Sequence, residues 1–297
     1  MVKEQLHPRN RFRAGYDFAR LIASSPRLAE FVAPNAHGNL SVDYADPAAV
    51  KALNQALLKD AYGLDWDVPP GYLCPPIPGR SEYLHHLADL LDLGRMAPSR
   101  RTPIAVLDIG MGANCIYPLI GAREYGWHFV GTDVDPVAVK WASKLVASNS
   151  PVANLIECRL QPSPLSCFAG VTKAGETFDL SMCNPPFQES AEAAAAGTLR
   201  KQRNLGTKRS TATGLNFGGQ AGELWCDGGE RGLIGRMIAE SAARPHLCRW
   251  FTTLVSKSEH LPRLFKQLDA VNAADVQTLE MAHGQKKSRI LAWTFRR

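Results

Sequence analysis

The 297-residue chain has no run of eighteen apolar residues, roughly the length a helix needs to cross a bilayer, so no membrane partner is expected. Met1 to Arg13 is polar and basic and lacks the apolar segment of a secretion signal, which predicts a cytoplasmic protein. Seven cysteines, at 74, 115, 158, 167, 183, 226 and 248, include no Cys-x-x-Cys pair. An odd, scattered set in a chain of this length fits neither a disulfide scaffold nor a zinc site, and a reducing compartment suits it. His85 and His86 are adjacent on a predicted helix and so point in different directions, which makes a poor metal site; no metal is expected. No internal repeat is visible.

What is present is a basic excess, 34 Lys and Arg against 28 Asp and Glu, a formal charge of +6. The total points only weakly to a polyanion; clustering says more. The segment His7-Pro-Arg-Asn-Arg-Phe-Arg13 reads as a basic arm carrying Arg9, Arg11 and Arg13. Between Phe187 and Gly232 lie Arg200, Lys201, Arg203, Lys208 and Arg209, with no acid between Glu192 and Glu223. This glycine-rich stretch reads as a basic insertion over about 188–231, and long loops of that kind are usually functional. Lys286 and Lys287, in a predicted hairpin loop, complete the candidate polyanion-binding set.

From Asp46 a helix is well signalled: an Asp cap, Pro47 at the first position, apolar Val50, Leu53, Leu57 and Leu58, and a stop at Gly63. Asp67 to Arg80 holds five prolines and no periodicity, a loop between an N-terminal region and the main domain. Ser81 is the predicted cap of a second helix running to Gly94. Strands are expected at Pro103 to Ile109, Trp127 to Thr132, Leu155 to Leu160, Phe178 to Cys183 and Trp250 to Val255. Helices alternate with them at Ile116 to Tyr125, after Asp135-Pro136, and from about Gly232 to Ala243. Val276 to Met281 and Ser288 to Phe295 flank His283 to Lys287 as a hairpin. The pattern predicts an α/β fold: a Rossmann-like, mostly parallel sheet closed by an antiparallel hairpin. It divides into a basic arm and helical region at 1–79 and a main domain at 80–297.

Asp108-Ile-Gly110-Met-Gly112-Ala-Asn114 closes a strand and opens a helix, so backbone N–H groups can approach a ligand. Asp133 ends the next strand, 23 residues after Gly110, where a carboxylate can accept from ribose hydroxyls. The third glycine of a dinucleotide turn is missing, because Cys115 stands there, and S-adenosylmethionine fits better than a nicotinamide. Arg80 is a candidate clamp for that cofactor's carboxylate. Asn184-Pro185-Pro186-Phe187 follows a strand. The Asn184 oxygen and the Pro185 carbonyl can each accept one N–H of a planar amine and direct its lone pair at a methyl group, while Phe187 offers a stacking face. Proline ends the strand because it cannot donate to a ladder. These residues leave the bearer of the amine open: an RNA base, a DNA base or a protein glutamine. A binding module that keeps the fold without turnover is a further reading.

The chain resembles the bacterial RlmF family and, more distantly, the eukaryotic methyltransferase-like sixteen enzymes. The matching stretches include HPRNRFR at 7–13, GYLCPPIPGR at 71–80, LDIGMGANCIYPLIG at 107–121, CNPPF at 183–187, LNFGGQ at 215–220, ELWCDGGE at 223–230 and EMAHGQKKSRILAWTF at 280–295. The resemblance implies a class I methyltransferase that moves a methyl group from S-adenosyl-L-methionine to the N6 amine of one adenosine in 23S ribosomal RNA, leaving S-adenosyl-L-homocysteine. It assigns Arg80, Gly110, Asp133 and Asn184 to the cofactor or catalytic site and puts Gln161 and Ser163 near the cofactor's adenine. The partner implied is 23S ribosomal RNA or a large-subunit assembly intermediate, met by a monomer. Many relatives carry His after Phe187; this chain has Gln188.

Overall fold

The structure is a computed structural model and describes residues 6–91, 103–186, 220–283 and 286–296. Its N-terminal part begins with helix α1 (Phe18–Ser24), capped by Asp17, and a two-stranded hairpin, β1 (Val32–Pro34) and β2 (Leu40–Val42). Helix α2 (Pro47–Tyr62) obeys the sequence signals at both ends. The Asp46 carboxylate accepts the Ala48 N–H at 2.8 Å, and Gly63 closes the helix in the left-handed region at φ 67°. Its face of Leu53, Leu57 and Leu58 is buried; truncating one such leucine to alanine costs about 2–5 kcal/mol.

Helix α3 (Ile77–Leu90) starts four residues before the expected cap. Pro78 fits the first turn, where its missing N–H has no helical acceptor to serve, so Ile77 to Arg80 coil early. The Ser81 hydroxyl donates to the Pro78 carbonyl inside that turn at 3.0 Å and caps nothing. The expected boundary at 79/80 therefore falls within α3, and the expected stop at Gly94 lies outside the described residues.

The main sheet is built from β3 (Ala105–Ile109), β4 (His128–Asp133), β5 (Ile156–Leu160), β6 (Phe178–Cys183), β7 (Cys248–Val255), β8 (Asp275–His283) and β9 (Lys286–Thr294). Their spatial order is β5-β4-β3-β6-β7-β9-β8. The first five are mutually parallel, and β9 runs antiparallel to β7 and β8. Helices α4 (Ile116–Tyr125) and α5 (Pro136–Ala147) make the crossovers. Helix α6 (Gly229–Ala243) begins three residues before the expected Gly232, and α7 (Leu261–Ala270) follows β7. The hairpin loop is tighter than expected, since His283 already pairs with Lys286.

Two apolar clusters cover the two faces of the sheet. One joins Leu57, Leu58, Ile77 and Leu84 of the N-terminal helices to Val106, Ile120, Trp127 and Phe129, so 1–79 shares a core with the sheet. The other holds Leu107, Phe178, Met237, Phe251 and Trp293. The basic arm is docked. Glu82, 2% exposed, accepts the His7 N–H and the Asn10 amide, Arg9 pairs with Asp89 at 2.6 Å, and Arg11 pairs with Glu124 at 2.8 Å. Arg9 and Arg11 thus already have carboxylate partners within the chain.

Candidate active site

Register brings the candidate residues to one edge. Ile109 pairs with Thr132 on one side and Cys183 on the other, so Gly110, Asp133 and Asn184 follow three neighbouring parallel strands at their carboxyl ends. That edge is where ligands bind in open α/β sheets.

Gly110 and Gly112 have φ of 74° and 66°, a region in which side-chain-bearing residues are strained. The turn is tied to β4: the N–H groups of Gly110 and Met111 both donate to the Thr132 carbonyl at 2.9 Å. Gly112 N–H donates to Oδ2 of Asp133 at 2.9 Å, and Asp135 N–H donates to its Oδ1 at 2.9 Å. Burial pushes the Asp133 carboxyl above its ordinary range, while those N–H groups act against it.

Asp108 sits beneath the turn, 1% exposed, and neither carboxylate oxygen has a hydrogen-bond partner. Burial, reinforced by Asp133 and opposed by Arg80, pushes its carboxyl up to about 8. Arg80 approaches from the first turn of α3. Its Nη1 donates to the Tyr117 hydroxyl at 2.8 Å, its Cζ lies 5.5 Å from the Tyr117 ring centre, and its buried Nε has no partner.

Asn184 carries a further orphan, an Oδ1 that is buried without a donor among the described residues, and Pro185 beside it is buried too. Unpaired polar atoms of this kind are uncommon in folded proteins, and Arg80, Asp108 and Asn184 bring theirs to one sheet edge. Phe187 lies outside the described residues, as do Gln188, Arg200, Lys201, Arg203, Lys208 and Arg209. Lys286 and Lys287 open β9 opposite His283 and Ala282; their side chains are outside the described atoms.

Three expected ligand residues have side chains already occupied. Asn114 accepts the Ile116 N–H at 3.2 Å across Cys115, and so starts α4. Gln161 donates its amide to the Ala169 carbonyl at 3.0 Å and accepts the Ser163 N–H at 3.1 Å, while its own N–H reaches the Asp133 carbonyl at 2.8 Å. Ser163 accepts the Leu165 N–H at 3.3 Å. These groups shape the loop beside Asp133.

Tyr72, Tyr117 and Glu223 have no assigned role in the sequence reading. Tyr72 donates to Oδ2 of Asp135 at 2.6 Å, and Glu223 accepts the N–H groups of Leu73 and Gln220, each at 2.9 Å. Glu223 carries a visible signal as the first acid after the acid-free stretch; nothing local marks the two tyrosines. Among the described residues no three His, Cys, Asp or Glu side chains form a metal-binding group.

A parallel sheet in this order, with a glycine turn after its central strand, an acid after the next and an antiparallel closing strand, is the Rossmann-like fold of class I methyltransferases. The chain belongs to the RNA methyltransferase family whose model matches residues 1–297. It is 52% identical over 312 residues to the ribosomal RNA large subunit methyltransferase F of Photobacterium profundum, covering 99% of this chain and 92% of that one. The protein of the same name from Yersinia enterocolitica is 51% identical over 297 residues, covering 99% and 88%. Among solved structures, the hMettl16 catalytic domain in complex with MAT2A 3'UTR hairpin 1 superposes with a TM-score of 0.84 at 31% identity, covering 99% of this chain and 96% of that one. The N-terminal domain of human METTL16 in complex with SAH gives 0.79 at 30% identity, covering 99% and 100%.

Proposed function

We propose that this chain transfers a methyl group from S-adenosyl-L-methionine to the N6 amine of one adenosine in large-subunit 23S ribosomal RNA, releasing S-adenosyl-L-homocysteine. The observation that carries the reading is the Asn184 Oδ1, a buried acceptor with no donor among the described residues, at the end of the strand beside the glycine turn. Relatives at 51–52% identity over 99% of the chain bear the name ribosomal RNA large subunit methyltransferase F, which supports ribosomal RNA as the bearer of the amine.

The residues present fit the cofactor. Arg80 would hold its carboxylate, Asp108 its amino-acid end against the Gly110 to Gly112 turn, whose own N–H groups are taken by Thr132 and Asp133, Asp133 its ribose, and the loop carrying Gln161 and Ser163 the adenine side. The cofactor, when bound, supplies a methyl group on a cationic sulfonium. Asn184 Oδ1 and the Pro185 carbonyl then accept the two N–H groups of the target amine, which turns the nitrogen lone pair out of the base plane. Pro185 and Pro186 have no N–H, so the loop offers acceptors to the amine and no competing backbone donors. Phe187 stacks on the extruded base. Because the amine becomes cationic as it is methylated, acceptors that hold its protons stabilise the transition state more than the ground state; one proton then leaves to solvent, so no strong base is required. Arg9, Arg11, Arg13, Arg200, Lys201, Arg203, Lys208, Arg209, Lys286 and Lys287 are the proposed phosphate contacts, with a single copy of the chain meeting the RNA or an assembly intermediate.

The test uses purified protein, a methyl-labelled donor and 23S ribosomal RNA lacking the modification. The expected product is label on one adenine as N6-methyladenosine; label on no RNA, or on another atom, overturns the assignment.

A further inference from the structure

Glu223 lies outside every assignment made above, yet its carboxylate is divided in an informative way. Oε2 is held by the N–H groups of Leu73, from the proline-rich loop, and Gln220, where the chain leaves the basic insertion. Oε1 is buried and has no donor among the described residues. It faces the glycine turn: a Cβ built on Gly112 would lie 3.4 Å from Oε1 and 2.9 Å from the Asn114 amide nitrogen. The carboxylate is thus held through Oε2 by two backbone N–H groups, and its unpaired Oε1 lies on the side of the glycine turn.

We propose that Glu223 is a further cofactor-binding residue, whose Oε1 faces the cofactor and favours the cationic methyl donor over the neutral product. The inference rests on the methyltransferase reading of the site. The two ligands differ by one methyl group and one positive charge. A neutral acceptor beside the turn would serve both alike, but a carboxylate held in place by two backbone N–H groups discriminates between them. Asp133 and Asp135 act on Glu223 in the same sense: together with burial they push its carboxyl up, which a cationic ligand reverses. Asp108, whose carboxylate oxygens also have no partner among the described residues, feels Arg80 instead. Product release is favoured by the same arrangement, because transfer of the methyl group removes the charge that Glu223 attracts.

The same residue ties two loops to each other beside the glycine turn. Leu73 and Gln220 meet through it, Gly71 and Gln220 approach so closely that a Cβ on Gly71 would lie 2.9 Å from the Gln220 amide nitrogen, and Tyr72 reaches Asp135. A merely structural role for Glu223 would come from this tie alone. It would weaken both ligands to the same extent when lost.

The experiment is calorimetric titration of S-adenosylmethionine and, separately, S-adenosylhomocysteine into the full-length protein, its E223Q variant and a Y72F control. Glutamine keeps an oxygen for the Leu73 and Gln220 N–H groups and removes the charge. Expected is a loss of at least about tenfold in donor affinity with less than about threefold for the product, since the charge acts on the cationic ligand alone, and an unchanged donor-to-product ratio in Y72F. Equal losses for both ligands in E223Q, or none, overturn the role of Glu223. Unaltered protein that binds neither ligand overturns the cofactor reading itself. Circular dichroism melting of each variant shows whether it is folded; should E223Q be unfolded, E223D, which keeps the charge, is expected to keep the ratio, and a changed ratio there refutes the proposal.

Discussion

Replacing Asn184 with alanine is expected to move stability and activity in opposite directions. The Asn184 Oδ1 is buried and receives no hydrogen bond from the described residues, so its removal leaves no donor among them unsatisfied. A buried unpaired polar group costs about 1–3 kcal/mol; deleting it offsets the small packing loss of the shorter side chain. The variant should therefore melt within about 2 °C of the parent or above it. Turnover should behave otherwise. Loss of one acceptor aimed at the reacting amine costs on the order of 10²–10³ in rate, comparable to deleting one oxyanion-hole donor. The fall belongs in kcat, with the donor affinity changed less than about threefold, because the interaction is made chiefly at the reacting amine. Thermal denaturation followed by circular dichroism, and single-turnover methyl transfer to unmodified ribosomal RNA, measure the two quantities on the same preparation. A variant destabilised by more than about 2 kcal/mol would mean that the amide is structural. A variant with undiminished turnover would remove Asn184 from the chemistry.

Asp108, pushed up to about 8 by burial, stays protonated in the folded protein at pH values where the unfolded chain has lost that proton. Its contribution to stability is full below about pH 4 and falls as pH rises to about 8; Asp108→Asn should stabilise the protein more at pH 8 than at pH 5 in urea titrations, and a pH-independent difference would refute the shift. His85 has the opposite window. Burial, with His7 and Arg9 nearby, lowers its imidazole to about 4, so the unfolded chain takes up a proton first as pH falls below about 6.5 and stability declines until about pH 4. Urea titrations at pH 7 and pH 5 should differ by about 1–2 kcal/mol at this site once solvent screening is allowed for, and His85→Gln should remove that part of the difference. Tyr117→Phe deletes the hydroxyl that accepts from Arg80 at 2.8 Å; the KM for the donor should rise about three- to tenfold with kcat within about twofold, and an unchanged KM would separate Arg80 from donor binding.

Local signals in the sequence are enough for most of the elements. Asp46, Pro47 and Gly63 define α2 because capping, proline geometry and a left-handed stop act over a few residues. Phe178–Cys183 ends where the prolines begin, and Ile116–Tyr125 and the Asp135 cap lie where expected, for the same reason. The start of α3 is misplaced because Pro76 and Pro78 read as loop residues, whereas a proline in a first helical turn costs nothing. The start of α6 at Gly229 is hidden in the same way, behind a pair of glycines that read as a turn.

The chemistry of the site is also largely written in the chain: Gly110, Gly112, Asp133 and Asn184 declare themselves by residue type and by following predicted strands. Their convergence at one edge is tertiary, since it depends on the register of Ile109 against both Thr132 and Cys183. So is the state of each group. Whether an amide or carboxylate is satisfied depends on distant partners, which is why Asn114 and Gln161 have occupied side chains while Asp108 and Asn184 keep unpaired oxygens. The arm of Arg9 and Arg11 looks like free positive charge in the sequence and is balanced in the fold by Asp89 and Glu124, 80 and 113 residues away. Glu223 meets Leu73 across 150 residues. Sequence patterns carry short-range geometry and residue chemistry; pairing, burial and the opening toward a ligand are set by contacts between segments that only the folded chain brings together.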